Sequence, residues 1–170
     1  MRVLGKVFHV IDVISEWSGK LVSFLILPLI IFIVYDVVMR YLFNAPTDWA
    51  HEVSYFMFGA LWVIGGAFAL RFGAHVKMEV IYERLPLKVR AILDLITAPL
   101  FFAFLGVLLW TGWELAWSSV LRLEHSNSFW SPPVYPVKLI IPLGAFLFLL
   151  QGMVKFIRDL IAATTGRKSA

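Results

Sequence analysis

A chain of 170 residues that is 61% hydrophobic, with a mean hydropathy of +0.85, is far more apolar than a soluble domain, whose apolar share is about 45 to 50%, and it reads as an integral membrane protein. The lack of cysteine excludes a disulfide framework, a thiolate metal site and a cysteine nucleophile. A formal charge of +4 would suggest nucleic acid as a partner for a soluble chain, but here its distribution over the loops matters more than its sum, and no nucleic-acid partner is expected.

Residues 1–20 are too charged to span a bilayer. Arg2, Lys6, His9, Asp12, Glu16 and Lys20 recur at helical spacing on one face, with Val3, Val7, Val10, Ile14 and Trp17 around the other, the pattern of an amphipathic helix lying on the inner leaflet. A helix packed on a partner protein is the alternative. The apolar run that follows ends in no small-residue cleavage site, so it is expected to stay as an anchor. A bilayer core of about 30 Å takes about 20 mostly apolar residues per helix. Four stretches meet or approach that: 21–39, with Asp36 as its one charge, 53–70 and 95–113, with none, and the shorter 139–154 between Lys138 and Lys155. The expected fold is all-α and integral to the membrane, with an interfacial helix over 1–20, a four-helix transmembrane domain over 21–162 and a tail over 163–170.

Between the first two spans, Asn44-Ala45-Pro46-Thr47-Asp48 is a compact turn whose Thr47 or Asp48 can cap the next helix. Asp36 lies four residues before Arg40, an i,i+4 pair near the outer end. Arg40 precedes Asn44 by four residues and Glu52 follows Asp48 by four, which puts both about 6 Å below the turn and offers Arg40 a second carboxylate. Asp36, Arg40, Asn44, Pro46, Trp49 and Glu52 form a candidate clasp closing a helical hairpin, with Trp49 at the interface; whether Asp36 or Glu52 is the main partner of Arg40 is left open. The alternative, a proton relay through Asp36, needs a chain of ionisable groups, and no other charge lies at mid-depth.

In the second span Gly65, Ala69 and Gly73 recur every four residues, a stripe that lets another helix approach closely, within the chain or in a partner subunit. The loop that follows ends at Pro86, which suits the first turn of the third helix. The loop after the third span carries Trp130 and Tyr135 where interfacial aromatics collect, continuing the belt of Trp110, Trp113 and Trp117, and Pro136 can start the fourth helix. Pro28, Pro99 and Pro142 fall inside spans and are expected to kink them. Broken transport helices would show matching Gly/Pro interruptions in two related halves, and none match. Of the 15 Lys and Arg, only Arg40, Arg122 and Lys138 lie opposite the side shared by the N-terminus, the middle loop and the C-terminus, which places both termini in the cytoplasm. His9, His51, His75 and His125 all lie outside the spans, so neither an axial pair for haem nor a zinc cluster is visible. With no phosphate loop, nucleophile elbow or paired catalytic carboxylates, the chain is not expected to be an enzyme or to hold a cofactor or metal.

RYLFNAPTDWAHE followed by FGALWVIGGAFALRFGAHVKMEVIYERLP resembles the small, four-helix, DctQ-like membrane subunit of tripartite ATP-independent periplasmic (TRAP) transporters. The resemblance is carried over about residues 20–90 by Arg-Tyr-x-x-Asn-x-Pro-x-x-Trp-x-x-Glu, by Gly65 to Ala69 and by His75-Val76. Met78-Glu79 stands where many relatives have Val-Asp, keeping a carboxylate after the loop histidine, and Glu52 to Met57 is similar to the ELSYM phrase of the mannitol/chloroaromatic subgroup. The resemblance implies a large membrane subunit moving substrate by an elevator-like motion, a periplasmic binding protein that delivers it, a sodium gradient that drives uptake, and organic acids as cargo. It implies for this chain a scaffold role in a bacterial inner membrane; the nearness of Asp48 and His51 to the outer surface leaves open whether they also meet the docking binding protein. The alternative is a membrane-anchor subunit of a respiratory oxidoreductase, which lacks here the mid-membrane histidines a haem would use.

Overall fold

A computed structural model describes residues 2–72 and 85–165, and the described residues are helical, with one isolated β-bridge, His125 to Pro133. The helices are α1 (Arg2–Ser23), α2 (Ile26–Leu42), α3 (Asp48–Arg71), α4 (Leu87–Leu121), the short α5 (Tyr135–Lys138) and α6 (Ile140–Thr165). Four segments are long and apolar enough to cross a membrane: Lys6–Leu42, Asp48–Arg71, Lys88–Leu121 and Tyr135–Thr164.

Two of the expected proline kinks are helix starts instead. Pro28 is the third residue of α2 and Pro142 the third of α6, positions where the missing N–H has no helical acceptor to lose. Upstream of Pro28 the chain tightens, Leu25 N donating to Val22 O at 2.9 Å, and α1 ends there rather than running on into the proline ring. Pro99 does lie inside its helix, α4. Pro86 is the N-cap of α4, one residue ahead of the expected first turn.

The helices outrun the apolar windows that announced them. At 35 residues α4 is about 52 Å long, against a hydrocarbon core of about 30 Å. It pairs most extensively with α6, which also packs on α3, while α3 in turn receives α1 and α2. In lipid no hydrophobic drive separates one apolar face from another, so close packing of small residues and interhelical hydrogen bonds decide which faces turn inward. The buried core accordingly includes Ala50, Ala60, Ala67, Ala91, Ala116 and Ala145 beside Leu105 and Val154. Gly144 brings α6 against α3 so closely that a Cβ there would lie 3.0 Å from the backbone of Val63. Gly65 of the expected stripe faces open space, while close approaches within the chain occur at Gly19 over Phe68, Gly112 over Ile141, Gly144 over Val63 and Gly152 over Phe101.

α1 turns the Asp12 and Ser15 part of its polar side to the protein, while Lys6, His9 and Lys20 stay exposed. Asp12 and Ser15 are buried against the bundle, while Val10, Trp17 and Leu21 are exposed. Its contacts run to α3 and α6.

Candidate functional site at the two ends of the bundle

At one end of the bundle Asp36 holds the α2–α3 turn. Its side chain is buried, and Oδ1 accepts hydrogen bonds from Thr47 N (3.2 Å) and Thr47 Oγ1 (2.8 Å), while Oδ2 accepts from Arg40 Nη2 (3.0 Å). Thr47 stands at the N-cap position of α3 but makes no side-chain cap bond, because its hydroxyl is given to Asp36. Asp48 follows in the first turn, where a negative charge suits the helix dipole. Asn44 takes the left-handed conformation that ends α2 (φ 51°), tolerable for a short polar side chain, and Ala45 N bonds back to Met39 O at 3.0 Å before Pro46 leads on. Trp49 packs edge-on against Phe32 and against the tilted ring of Tyr35, at centroid distances of 5.9 and 5.6 Å.

Glu52 is directed to the loop between α4 and α5, not to Arg40. Its oxygens accept hydrogen bonds from the hydroxyls of Ser126 and Ser128, the latter at 2.8 Å. Equal depth put Glu52 and Arg40 level, but depth says nothing of azimuth, which turns by about 100° with each helical residue. The loop that receives Glu52 is itself tightly folded. Leu123 and Ser131 are left-handed (φ 47° each), Ser126 N donates to Pro132 O and Val134 N to Glu124 O, both at 2.9 Å. Lys138 Nζ bonds Glu124 at 2.6 Å, and this ammonium holds the Glu124 carboxyl below its usual pKa. Trp130 lies across a shallow recess from Pro46, Asp48 and Trp49, with Phe129 beside it fully exposed. His51 and Asp48 are exposed.

At the opposite end a polar network joins α1, α3 and α6. Asp12 Oδ1 accepts from Gln151 Nε2 (2.9 Å) and Oδ2 from Arg158 Nη2 (2.7 Å), while Ser15 Oγ donates to Gln151 Oε1 (2.9 Å). Arg158 also lies over the Phe8 ring, 6.0 Å from its centroid. Arg71, the last residue of α3, donates to the Asp12 carbonyl and to Glu16 Oε2 (2.6 Å), and Lys20 shares Glu16 at 2.6 Å. Lys155 of α6 bridges Asp94 of α4 and Asp159. Sequence reasoning passed over this network. Its one visible signal was Gln151, the only polar side chain in residues 139–154, a group that must find a partner in an apolar setting.

Gly73, His75 and Glu79 lie outside the described residues. Ala69 is half-buried. Among the described residues no group of three His, Asp or Glu is placed to hold a metal ion. The chemistry available at both ends is that of fixed ion pairs and hydrogen bonds between helices.

The family model described as the DctQ component of tripartite ATP-independent periplasmic transporters matches residues 29–162. A curated relative, the C4-dicarboxylate TRAP transporter small permease protein DctQ of Vibrio cholerae serotype O1, is 29% identical over 97 residues, which are 57% of this chain and 36% of the relative. The similarity thus spans little more than a third of that relative's length.

Proposed function

This chain belongs to the DctQ component family of tripartite ATP-independent periplasmic transporters, and we propose that within such a transporter it is a non-catalytic scaffold, bracing a large elevator-type membrane subunit and helping to form the surface on which the soluble binding protein docks. It is a multi-pass membrane protein. In this reading it sits in a bacterial inner membrane with both termini cytoplasmic, α1 rests on the inner leaflet through Val10, Trp17 and Leu21, and the transporter imports organic acids with sodium. The C4-dicarboxylate in the name of the Vibrio cholerae relative supports a carboxylate cargo. The family match displaces the respiratory anchor as the reading of choice.

The observation that carries the scaffold role is how the ionisable side chains are used. Asp12 with Arg158, Asp94 with Lys155 and Asp36 with Thr47 each tie one part of the chain to another, the disposition of a frame that keeps its shape while a neighbour moves. Asp36, Arg40, Asn44, Pro46, Trp49 and Glu52 serve in this proposal to hold the outer corner of that frame, Glu52 through the serine loop. Gly65, facing open space, is available to a helix of the large subunit.

The test is uptake in proteoliposomes containing this chain alone, the large subunit alone and both, with the soluble protein supplied outside. Sodium-driven uptake is expected only with both membrane subunits; uptake by this chain alone overturns the proposal.

A further inference from the structure

Beyond the first turns of the long helices, Asp12, Glu16, Asp36, Glu52, Asp94 and Asp159 each accept a hydrogen bond from another side chain. Glu114 does not. It is exposed on α4, two turns before the helix ends, and takes part in no hydrogen bond or ion pair among the described residues. It follows Trp110 by four residues and precedes Trp117 by three, so the carboxylate lies between two exposed indoles on one face of the helix. Trp117 is steadied in turn by Trp113, the two rings stacked 8° from parallel with centroids 5.9 Å apart. A carboxylate flanked by indole faces suits an ammonium group, since the negative charge pairs with it and the rings attract the same cation.

Trp110 and Trp113 also belong to one wall of a groove of about 720 Å³ between α4 and α6, where Leu109, Leu139, Leu143 and Phe146 are among the lining residues and none is charged. A Cβ at Gly106, in the same wall, would meet nothing within 4 Å, so the groove lies open there over bare backbone. Membrane helices seat on one another through small residues and interhelical hydrogen bonds, and apart from Gly106 and the indole N–H groups this lining offers neither. Bulky, uneven apolar walls suit a flexible alkyl chain instead. A single molecule with an apolar tail and an ammonium head accounts for the groove and for the unpaired carboxylate beside it.

We propose that α4 and α6 form a site for phosphatidylethanolamine, with an acyl chain in the groove and the ammonium of the headgroup held by Glu114, Trp110 and Trp117. Charge complementarity selects this lipid: ethanolamine ends in a cation, whereas a phosphatidylglycerol headgroup is anionic and is repelled by the carboxylate. The inference goes beyond the scaffold role and requires only that α4 spans the membrane.

The test is native mass spectrometry of the full chain, alone and with the large subunit, stripped of lipid in detergent and titrated with phosphatidylethanolamine or phosphatidylglycerol of the same acyl chains. Phosphatidylethanolamine is expected to bind about tenfold more tightly in both preparations. Glu114→Gln is expected to remove that preference and Glu114→Lys to reverse it, with thermal unfolding unchanged because the side chain makes no bond within the described chain. Gly106→Phe, which fills the groove, is expected to weaken both lipids alike. Equal affinity for the two lipids in the unaltered chain overturns the proposal, as does a preference that survives Glu114→Lys or binding that is unchanged in Gly106→Phe. A preference present in the chain alone and lost on adding the large subunit marks Glu114 as the partner of a basic side chain of that subunit, and also overturns it.

Discussion

The two ends of this bundle are tied in different ways. At the end that holds the α2–α3 turn Asp36 reaches Arg40, four residues on, and Thr47, eleven residues on, and Arg40 is 48% exposed. At the opposite end Asp12 reaches Gln151 and Arg158 across separations of 139 and 146 residues, and Gln151 is only 2% exposed. The Asp36 tie shapes a turn that short-range geometry already favours. The Asp12 tie joins the first helix to the last, and solvent does little there to replace a lost partner.

The largest effect is therefore expected from Asp12→Ala, which leaves Arg158 without its carboxylate and strips Gln151 of its acceptor. A loss of about 3 kcal/mol is expected, the lower end for a broken buried pair because Arg158 is 30% exposed. Thermal unfolding of the purified chain, with proteolysis to detect release of α1, measures it; a smaller loss than for Asp36→Ala would reverse the ranking of the two ends. Asp36→Ala removes the bonds from Thr47 together with that from Arg40 and is expected to cost about 2 kcal/mol. Gly144→Ala drives a methyl group into the Val63 backbone between the two ends and should cost about 1 to 3 kcal/mol, read in the same unfolding assay. Arg40→Ala should cost no more than about 1 kcal/mol, since Asp36 keeps Thr47 and the guanidinium is half in solvent. If Arg40→Ala equalled Asp36→Ala, the arginine and not the threonine would be the main holder of the turn.

The smallest expected effect is set by pH at the loop between α4 and α5. Lys138 lowers the Glu124 pKa from its ordinary 4.5, so the folded state favours the ionised carboxylate. Its contribution is fully present above the ordinary value and is lost as pH falls through the lowered one. Glu124→Gln should flatten the acid limb of stability below about pH 4.5 and leave stability at neutral pH nearly unchanged, as suits a partly exposed pair.

The same contrast explains what could be read in advance. Four membrane-length segments, the turn at Asn44 and the Asp36–Arg40 pair follow from composition and short spacing, and the structure has them. Glu52 was assigned its depth but not its direction, because two helices at equal height can present their side chains to different neighbours. The Asp12–Gln151–Ser15 network was out of reach for a different reason. When every face of a helix is apolar, hydrophobic patterning does not say which residues of the last helix meet those of the first. Only a polar side chain without a nearby partner, as at Gln151, points to such a meeting, and it does so without naming the other side. The helix starts at Pro28 and Pro142 show a related gap, since a proline inside an apolar run reads equally as a kink or a beginning.

The length of α4 takes it beyond the hydrocarbon core. Its exposed apolar side chains from Ile92 to Trp110 cover about 27 Å of helix, close to the core's about 30 Å, and Glu114, one turn further on, is exposed. A carboxylate at that level belongs at the headgroups, so the last two turns of α4, with Trp117 and Leu121, rise through the interface and carry the loop that receives Glu52 clear of the hydrocarbon. A bilayer thick enough to cover Leu121 would have to draw Glu114 into its core, which makes that residue a stop on how deep the helix can settle.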